Sequence, residues 1–419
     1  MSRRIALIVC TALTPLPALA APTTAEVIDT YADIAEAGYS DSLSTARDLQ
    51  TAVQRLTADP SEENLNAARE AWKAARVPYQ QTEVFRFGNP IVDDWEGAIN
   101  SWPLDEGLID YVADGFGTNE ENALAGLNVI ANPTITIGGK QIDATVITPE
   151  LISGTLHEAD GNEANVASGY HAIEFLLWGQ DLNGTGPGAG ERPWTDYAKG
   201  DACTGGNCDR RAAYLQAATE LLVRDMAYMA EQWGPDGAAR KTLTDDPDAG
   251  IRAMLTGMGS LSYGEQAGER MKLGLMLNDP EEEHDCFSDN TPNSHYYDGL
   301  GVDNVYLGRY KRVDGTEVAG PSLSELVAAA DPAIDSQLKA ELADSLTKLD
   351  ALRKAQAAGM AYDQMLAPGN DEGERLIMAA VDALVAQTRS IERAASALNV
   401  DQVTIEGSDS LDQPEAVFQ

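Results

Sequence analysis

The chain has 419 residues, of which 43% are hydrophobic and 6% aromatic, so it is long enough for a packed core and for two domains. Asp and Glu number 67 against 29 Lys and Arg, which gives a formal net charge of −38. A surface this acidic repels nucleic acid and anionic membranes and attracts cations, so we expect no nucleic-acid partner. Solubility in a salty environment would by itself explain such a charge.

The N-terminus has the pattern of an export signal. A basic start at Met1–Arg4 precedes a mostly apolar stretch, and Ala18-Leu19-Ala20 forms a small-x-small cleavage site. This pattern predicts a signal peptide over residues 1–20 and an exported mature protein. Since no later stretch is long and apolar enough to cross a bilayer, we expect no transmembrane span.

Several stretches have the apolar spacing of amphipathic helices. These stripes cover residues 28–56, 65–75, 214–233 and 377–398. Pro78 is expected to kink or end the second of them. Helix-forming Ala, Leu and Glu are frequent and β-branched runs are short, which favours an all-α fold.

Segments rich in Gly, Pro, Asp or aromatic residues separate the helical stripes. We expect them to be irregular loops at residues 85–107, 183–207 and 278–320, with a small hairpin at residues 132–141. Breakers in the region 234–250 predict a division into two helical-bundle domains, residues 21–240 and 241–419.

Three cysteines lie after the signal, at Cys203, Cys208 and Cys286. Export permits disulfides. Cys203 and Cys208 flank a short flexible loop and could pair, or Cys286 could pair with either of them. Three thiols cannot all be paired within one chain.

A predicted helix over Val166–Trp178 has almost no polar face and carries His171 and Glu174, which share one side because they are three residues apart. A buried carboxylate beside an imidazole must be paired, protonated or bound to a cation. Such a pair has good metal-ligand spacing, as in helical bundles with Glu and His three apart. A hydrogen bond within the core explains it equally well, so both interpretations stay open on spacing alone.

The segment from Gly169 to Glu174 resembles the Gly-x-His-x-x-Glu signature of the imelysin family, in its iron-regulated protein A branch. Further blocks that resemble this family are Ala71–Pro90, Trp102–Gly107, Gly257–Glu265 and Asp285–Asn290. The resemblance covers essentially the whole mature chain. It implies two helical-bundle domains with a site near their interface, a periplasmic location and a part in iron uptake, with envelope iron-uptake proteins as partners.

The family also carries a peptidase name, which the motifs of this chain do not support. His157-Glu158 lacks the second histidine of a zinc protease, and Phe175 stands where the inverted motif needs one. Residues 259–264 approach a serine-hydrolase elbow but have the wrong spacing. We therefore identify no catalytic residue, although catalysis through residues distant in sequence stays an alternative.

We expect a metal-ion cofactor, with iron first and zinc as the alternative, because iron prefers oxygen and nitrogen ligands. The candidate metal ligands are His171, Glu174, Glu83 and Glu265. The candidates for contacting a bound ligand are Arg86, Ser262 and His295. Glu83 and Glu265 could instead form ion pairs, His295 could be a hydrogen-bonded loop residue, and the acidic run 281–285 could gather cations or simply be solvated.

The function predicted from these observations is a periplasmic protein that binds a metal ion or metal complex in iron uptake. One alternative is a metal-dependent envelope peptidase. The other is an envelope interaction module in which His171 and Glu174 are purely structural.

Overall fold

The computed structural model describes residues 21–116 and 122–418, and it is predominantly helical, which confirms the all-α class. The predicted signal peptide at residues 1–20 lies outside the described residues. The helices are α1 (Thr24–Ala58), α2 (Glu62–Gln80), α3 (Pro90–Asn100), α4 (Pro149–Leu151), α5 (Gly169–Trp178), α6 (Cys208–Trp233), α7 (Ala238–Thr244), α8 (Pro247–Ser260), α9 (Gly274–Leu277), α10 (Thr291–Leu307), α11 (Leu323–Ala330), α12 (Pro332–Ala357), α13 (Tyr362–Leu366), α14 (Asp371–Ala397) and α15 (Asp409–Asp412). Two π-helical segments, Ile152–Leu156 and Leu261–Leu273, follow α4 and α8 directly.

The strands of the described residues form two antiparallel hairpins. β1 (Thr134–Ile137) pairs with β2 (Lys140–Asp143), which confirms the hairpin predicted at residues 132–141. β3 (Arg309–Lys311) pairs with β4 (Glu317–Ala319), and this hairpin lies within residues 278–320, which we expected to be irregular.

The local signals of α1 and α2 explain where these helices begin and end. Thr23 caps α1 through a reciprocal capping box with Glu26, and Ser61 caps α2. α2 ends at Gln80, two residues after Pro78, as expected for a residue that cannot donate a helical hydrogen bond.

Two helices lie in segments that we expected to be irregular. α3 falls within residues 85–107 and α10 within residues 278–320, so the expectation was wrong there. Both begin with a proline in the first turn, which suits a helix start. α10 buries polar side chains such as Asp298 and Asn304 on several sides, so it has no apolar stripe to reveal it.

Three groups of buried apolar side chains form the core. One lies among α2, α5, α6 and the second half of α1, and the next joins the first half of α1 to α8, α10 and α14. A third lies between the π-helix Leu261–Leu273 and the helices α12 to α14. α1 therefore contributes to two of them, and the domain boundary near residue 240 stays a prediction.

The cysteines resolve the pairing that the sequence left open. Cys203 and Cys208 form a disulfide, and Cys286 is a free, partly buried thiol. Within the described residues, the helices are all either too short or too polar to cross a membrane.

Candidate functional site

The helix α5 is buried along its whole length and begins directly against the end of α3. Gly169 has a φ of 79°, and a Cβ atom at this position would lie 2.3 Å from the carbonyl oxygen of Ile99. Glycine avoids both the left-handed strain and this clash. Gly179, with a φ of 74°, follows the last residue of the helix and ends it.

His171 and Glu174 contact each other inside the protein. Nδ1 of His171 lies 3.0 Å from Oε2 of Glu174, and neither side chain is more than 2% exposed. The other carboxylate oxygen of Glu174 accepts hydrogen bonds from the backbone amide and the hydroxyl of Ser288, at 3.0 and 2.6 Å. Burial raises the pKa of Glu174 well above its usual value and lowers the pKa of His171 well below its own, so burial favours the uncharged form of both side chains.

Asn100, the last residue of α3, lies between His171 on α5 and His284 on the segment before α10. Its carboxamide oxygen lies 3.2 Å from Nε2 of His171 and accepts a hydrogen bond from Arg76 at 2.6 Å. Its nitrogen lies 3.3 Å from Glu83 and 3.4 Å from Nε2 of His284. One short side chain thus contacts both imidazoles.

The segment before α10 supplies two further buried donors, His284 and Asp285, which stand in the sequence at the end of the acidic run 281–285. The end of that run is not solvated, because both residues are fully buried. One ligand atom each from His171, His284 and Asp285 lie within 4.8 Å of one another. Burial and the charge of Arg270 lower the pKa of His284 well below its usual value, and its Nδ1 has no hydrogen-bond partner among the described residues.

The buried Arg270 neutralises part of the acidic charge. Arg270 donates hydrogen bonds to Glu83 and Glu265, both at 2.7 Å, and to Asp298 at 3.1 Å. In the π-helix Leu261–Leu273, the i to i+5 hydrogen-bond pattern brings residues five apart, such as Glu265 and Arg270, towards each other. The contacts of Glu83 and Glu265 are therefore those of ion pairs, and their role as metal ligands stays a prediction.

The three candidate ligand-binding residues lie in different places. Arg86 forms ion pairs with Glu96 at 3.3 Å and with Glu265 at 3.6 Å. Ser262 is fully buried and donates a hydrogen bond to the backbone carbonyl of Met258, one turn earlier in α8, at 2.7 Å. His295 is not a loop residue: it lies in α10, fully buried, with its ring centre 6.5 Å from that of His284.

The donor chemistry of His171, His284 and Asp285 fits a divalent transition metal. Neutral imidazoles and a carboxylate bind Zn²⁺ and Fe²⁺, and three protein donors leave coordination positions for water or another ligand. Glu174 stands behind His171 in the way that a carboxylate orients a metal-bound imidazole. Asp285 would share its charge between the metal and Arg76, which donates to it at 2.8 Å.

A surface cavity of about 370 Å³ reaches the edge of this site. Asn100 and Trp102 line it, and both also contact His284, the Trp102 ring centre lying 4.4 Å from that of the imidazole. The acidic side chains that line the cavity are Glu96, Glu265, Glu269 and Glu282. The side chains of Asn100 and Trp102 would separate a cation in this cavity from His284.

Comparisons with known proteins agree on one family. A family model described as Imelysin matches residues 35–391, which confirms the resemblance that the motifs indicated. The chain is 26% identical to "Iron-regulated protein A" of Synechococcus elongatus over 354 residues, which cover 83% of this chain and 79% of that protein. A crystal structure of a "putative iron-regulated protein A precursor" from Parabacteroides distasonis has a TM-score of 0.65 at 21% identity, covers 90% of this chain and 96% of its own, and shows that the fold is shared.

Proposed function

Because the chain belongs to the imelysin family, we propose that it is a periplasmic protein that binds a metal ion or a metal complex in iron uptake. The observation that carries this proposal is the buried group of His171, His284 and Asp285, with one ligand atom from each within 4.8 Å of the others. These residues would hold the metal, and Glu174 would fix the orientation of His171.

The protonation of the group supports metal binding. A metal needs neutral imidazole and ionised carboxylate, and burial keeps His171 and His284 neutral by lowering the pKa of each. A cation would also favour the ionised form of Glu174, whose pKa is raised by burial and then by the charge of Asp285.

The cavity beside Asn100 and Trp102 supports access for an ion or a small chelate. Its acidic lining and the overall charge of −38 would concentrate cations near it, without selecting among them. A peptidase would have to bring a polypeptide chain to the metal, whereas His171, His284 and Asp285 are each at most 2% exposed. Binding is therefore better supported than cleavage.

Metal analysis of untagged protein tests the proposal. The wild type is loaded with Fe²⁺ without oxygen, or with Zn²⁺, desalted, and compared with His171→Ala, His284→Ala and the control His157→Ala. His157 lies outside the group and its side chain is 10% exposed, so its variant controls for removing any imidazole.

We expect about one equivalent of metal in the wild type and in His157→Ala, and a loss of at least tenfold in affinity in the other two variants. Equal, sub-stoichiometric metal in all four proteins would remove the basis of the proposal. Uptake of labelled iron by cells lacking the protein, complemented with wild type or His284→Ala, then tests its place in iron uptake.

A further inference from the structure

The segment at residues 401–412, which we call the strap, lies along the π-helix Leu261–Leu273. It includes α15 and has no other regular secondary structure. Three hydrogen bonds tie it to this helix and to the residue before it: the amide of Glu406 donates to the hydroxyl of Ser260 at 3.1 Å, the hydroxyl of Ser410 donates to the carbonyl of Gly268 at 3.0 Å, and the hydroxyl of Tyr263 donates to Asp412 at 2.7 Å. The strap therefore follows the π-helix from its first turn to Gly268.

Two glycines of the π-helix allow this close approach. A Cβ atom at Gly264 would lie 2.6 Å from the carbonyl oxygen of Glu406, and one at Gly268 would overlap the side chain of Ser408. Neither glycine has a positive φ, so other residues could adopt the same backbone conformation. What these two positions require is space for the strap, because a side chain there would push it away from the helix.

Small polar side chains hold the strap in place. Its buried residues are Ser408 and Ser410, whereas Val403, Ile405 and Leu411 are only partly buried and its other residues are exposed. Segments that bury few apolar groups open locally at a small part of the free energy of global unfolding. The strap is therefore suited to leave the helix while the rest of the fold stays intact.

The π-helical form matters because it brings Glu265 and Arg270 together. It runs for 13 residues, whereas π-helical segments are mostly single turns. In an α-helix each residue turns the chain by about 100°, so residues five apart point about 140° away from each other. In the π-helix the same two residues form an ion pair at 2.7 Å, and a return to the α-helical form would separate them.

Arg270 in turn contacts the residue that covers His284. Its guanidinium carbon lies 5.1 Å from the centre of the Trp102 ring, and that ring centre lies 4.4 Å from the centre of the His284 imidazole. Trp102 also lines the surface cavity beside Asn100. The indole that separates this cavity from His284 is therefore packed against a side chain that the π-helix carries.

A second cavity, of about 630 Å³, lies between the strap and the π-helix. Glu269 and Leu273 line it from the helix, and Ser408 and Ser410 line it from the strap. Glu269 and Leu273 also line the cavity at Trp102, so one stretch of helix forms a wall of both cavities. The strap thus borders the same stretch of helix that borders the route to His284.

We propose that the strap controls access to the metal donors. With the strap in place, residues 261–273 keep the π-helical form and Arg270 holds Trp102 over His284. When the strap leaves, the helix loses this support, Arg270 separates from Glu265, and His284 becomes accessible from the cavity. This inference rests on the proposed function, because access to His284 matters only if that residue binds a ligand. The test needs no metal, so its failure is distinguishable from a failure of metal binding.

Modification of histidine by diethyl pyrocarbonate measures this access in the full chain. The reagent transfers its ethoxycarbonyl group to an imidazole nitrogen, and mass spectrometry gives the rate at each of the four histidines. Gly264→Ala and Gly268→Ala place a methyl group against the strap, and Ser410→Ala removes a hydrogen bond without adding atoms, which serves if the first two fail to fold. The matched control is Gly154→Ala in the other π-helix, where the added methyl group meets no neighbour within 4 Å.

We expect His284 to react about tenfold faster in the two strap-facing glycine variants, with faster hydrogen exchange over residues 401–412 and an unchanged rate at His157. Ser410→Ala should show a smaller change in the same direction, and Gly154→Ala should match the wild type. The proposal is overturned if the rate at His284 does not change in the strap variants, or if hydrogen exchange over the strap stays as in the wild type. An equal rise at His157 would also overturn it, because that result would show a general loosening of the fold.

Discussion

Replacing Gly169 by alanine tests why the signature begins with glycine. The residue has a φ of 79°, where an alanine costs about 1–2 kcal/mol, and its Cβ would lie 2.3 Å from the oxygen and 2.6 Å from the carbon of the Ile99 carbonyl. Both atoms are backbone at the end of α3, so relief requires α3 and α5 to separate, which we place at a further ~1–3 kcal/mol. Gly169→Ala should therefore lower the free energy of unfolding by about 2–5 kcal/mol.

Alanine substitutions at two other glycines separate the backbone strain from the steric clash in this loss of stability. Gly139 has a φ of 75° with open space around it, so Gly139→Ala should cost only the backbone strain, about 1–2 kcal/mol. Gly154 has neither a positive φ nor a neighbour within 4 Å, and Gly154→Ala should cause no loss. Urea unfolding of the three variants measures the differences. If Gly169→Ala costs no more than Gly139→Ala, the close approach of α3 and α5 does not explain the glycine.

Three further predictions concern charge and access. Burial and the charge of Glu83 raise the pKa of Glu96 to about 7. The folded state therefore binds more protons than the unfolded state between pH 4.5 and 7. Because of this difference, the free energy of unfolding falls as pH rises through this range. Urea unfolding at pH 5 and pH 8 should show this fall in the wild type and a smaller one in Glu96→Gln; equal falls would contradict it. Arg270→Met removes the guanidinium that pairs with the buried carboxylates of Glu83 and Asp298 and should cost about 3–5 kcal/mol in the same assay. Arg375→Met, in an exposed ion pair, should cost under ~1 kcal/mol, and similar losses in the two variants would contradict the effect of burial. Asn100→Ala should speed Zn²⁺ association in stopped-flow measurements, because the carboxamide contacts both imidazoles; slower association would contradict this.

The sequence predicts the helices that bury one apolar stripe and misses those that do not. α1, α2, α6 and α14 follow their apolar spacing closely. α10 lacks an apolar stripe because Asp298 and Asn304 are buried, and they pair with Arg270 and Gln81, which lie far away in sequence. The apolar spacing of a sequence cannot show that a polar residue is buried when its partner lies in another part of the chain.

The same limit applies to the site. The spacing of His171 and Glu174 and the family signature led to the pair on α5. His284 and Asp285 stand in an acidic run that looks solvated, and their burial follows from packing against residues more than 100 positions earlier, such as Arg76. Glu83 and Glu265 are predicted as metal ligands, but the sequence alone cannot show that both form ion pairs with Arg270.

Anomalous diffraction from crystals soaked in Zn²⁺ or Fe²⁺ tests the central claim most directly. The account predicts one strong peak about 2.0–2.2 Å from a nitrogen of His171, a nitrogen of His284 and an oxygen of Asp285. It also predicts that this peak vanishes in His284→Ala crystals while surface peaks persist. Metal found solely on surface carboxylates, with the contact between His171 and Glu174 unchanged and no density among the three donors, would contradict the account and leave the pair a structural element of the core.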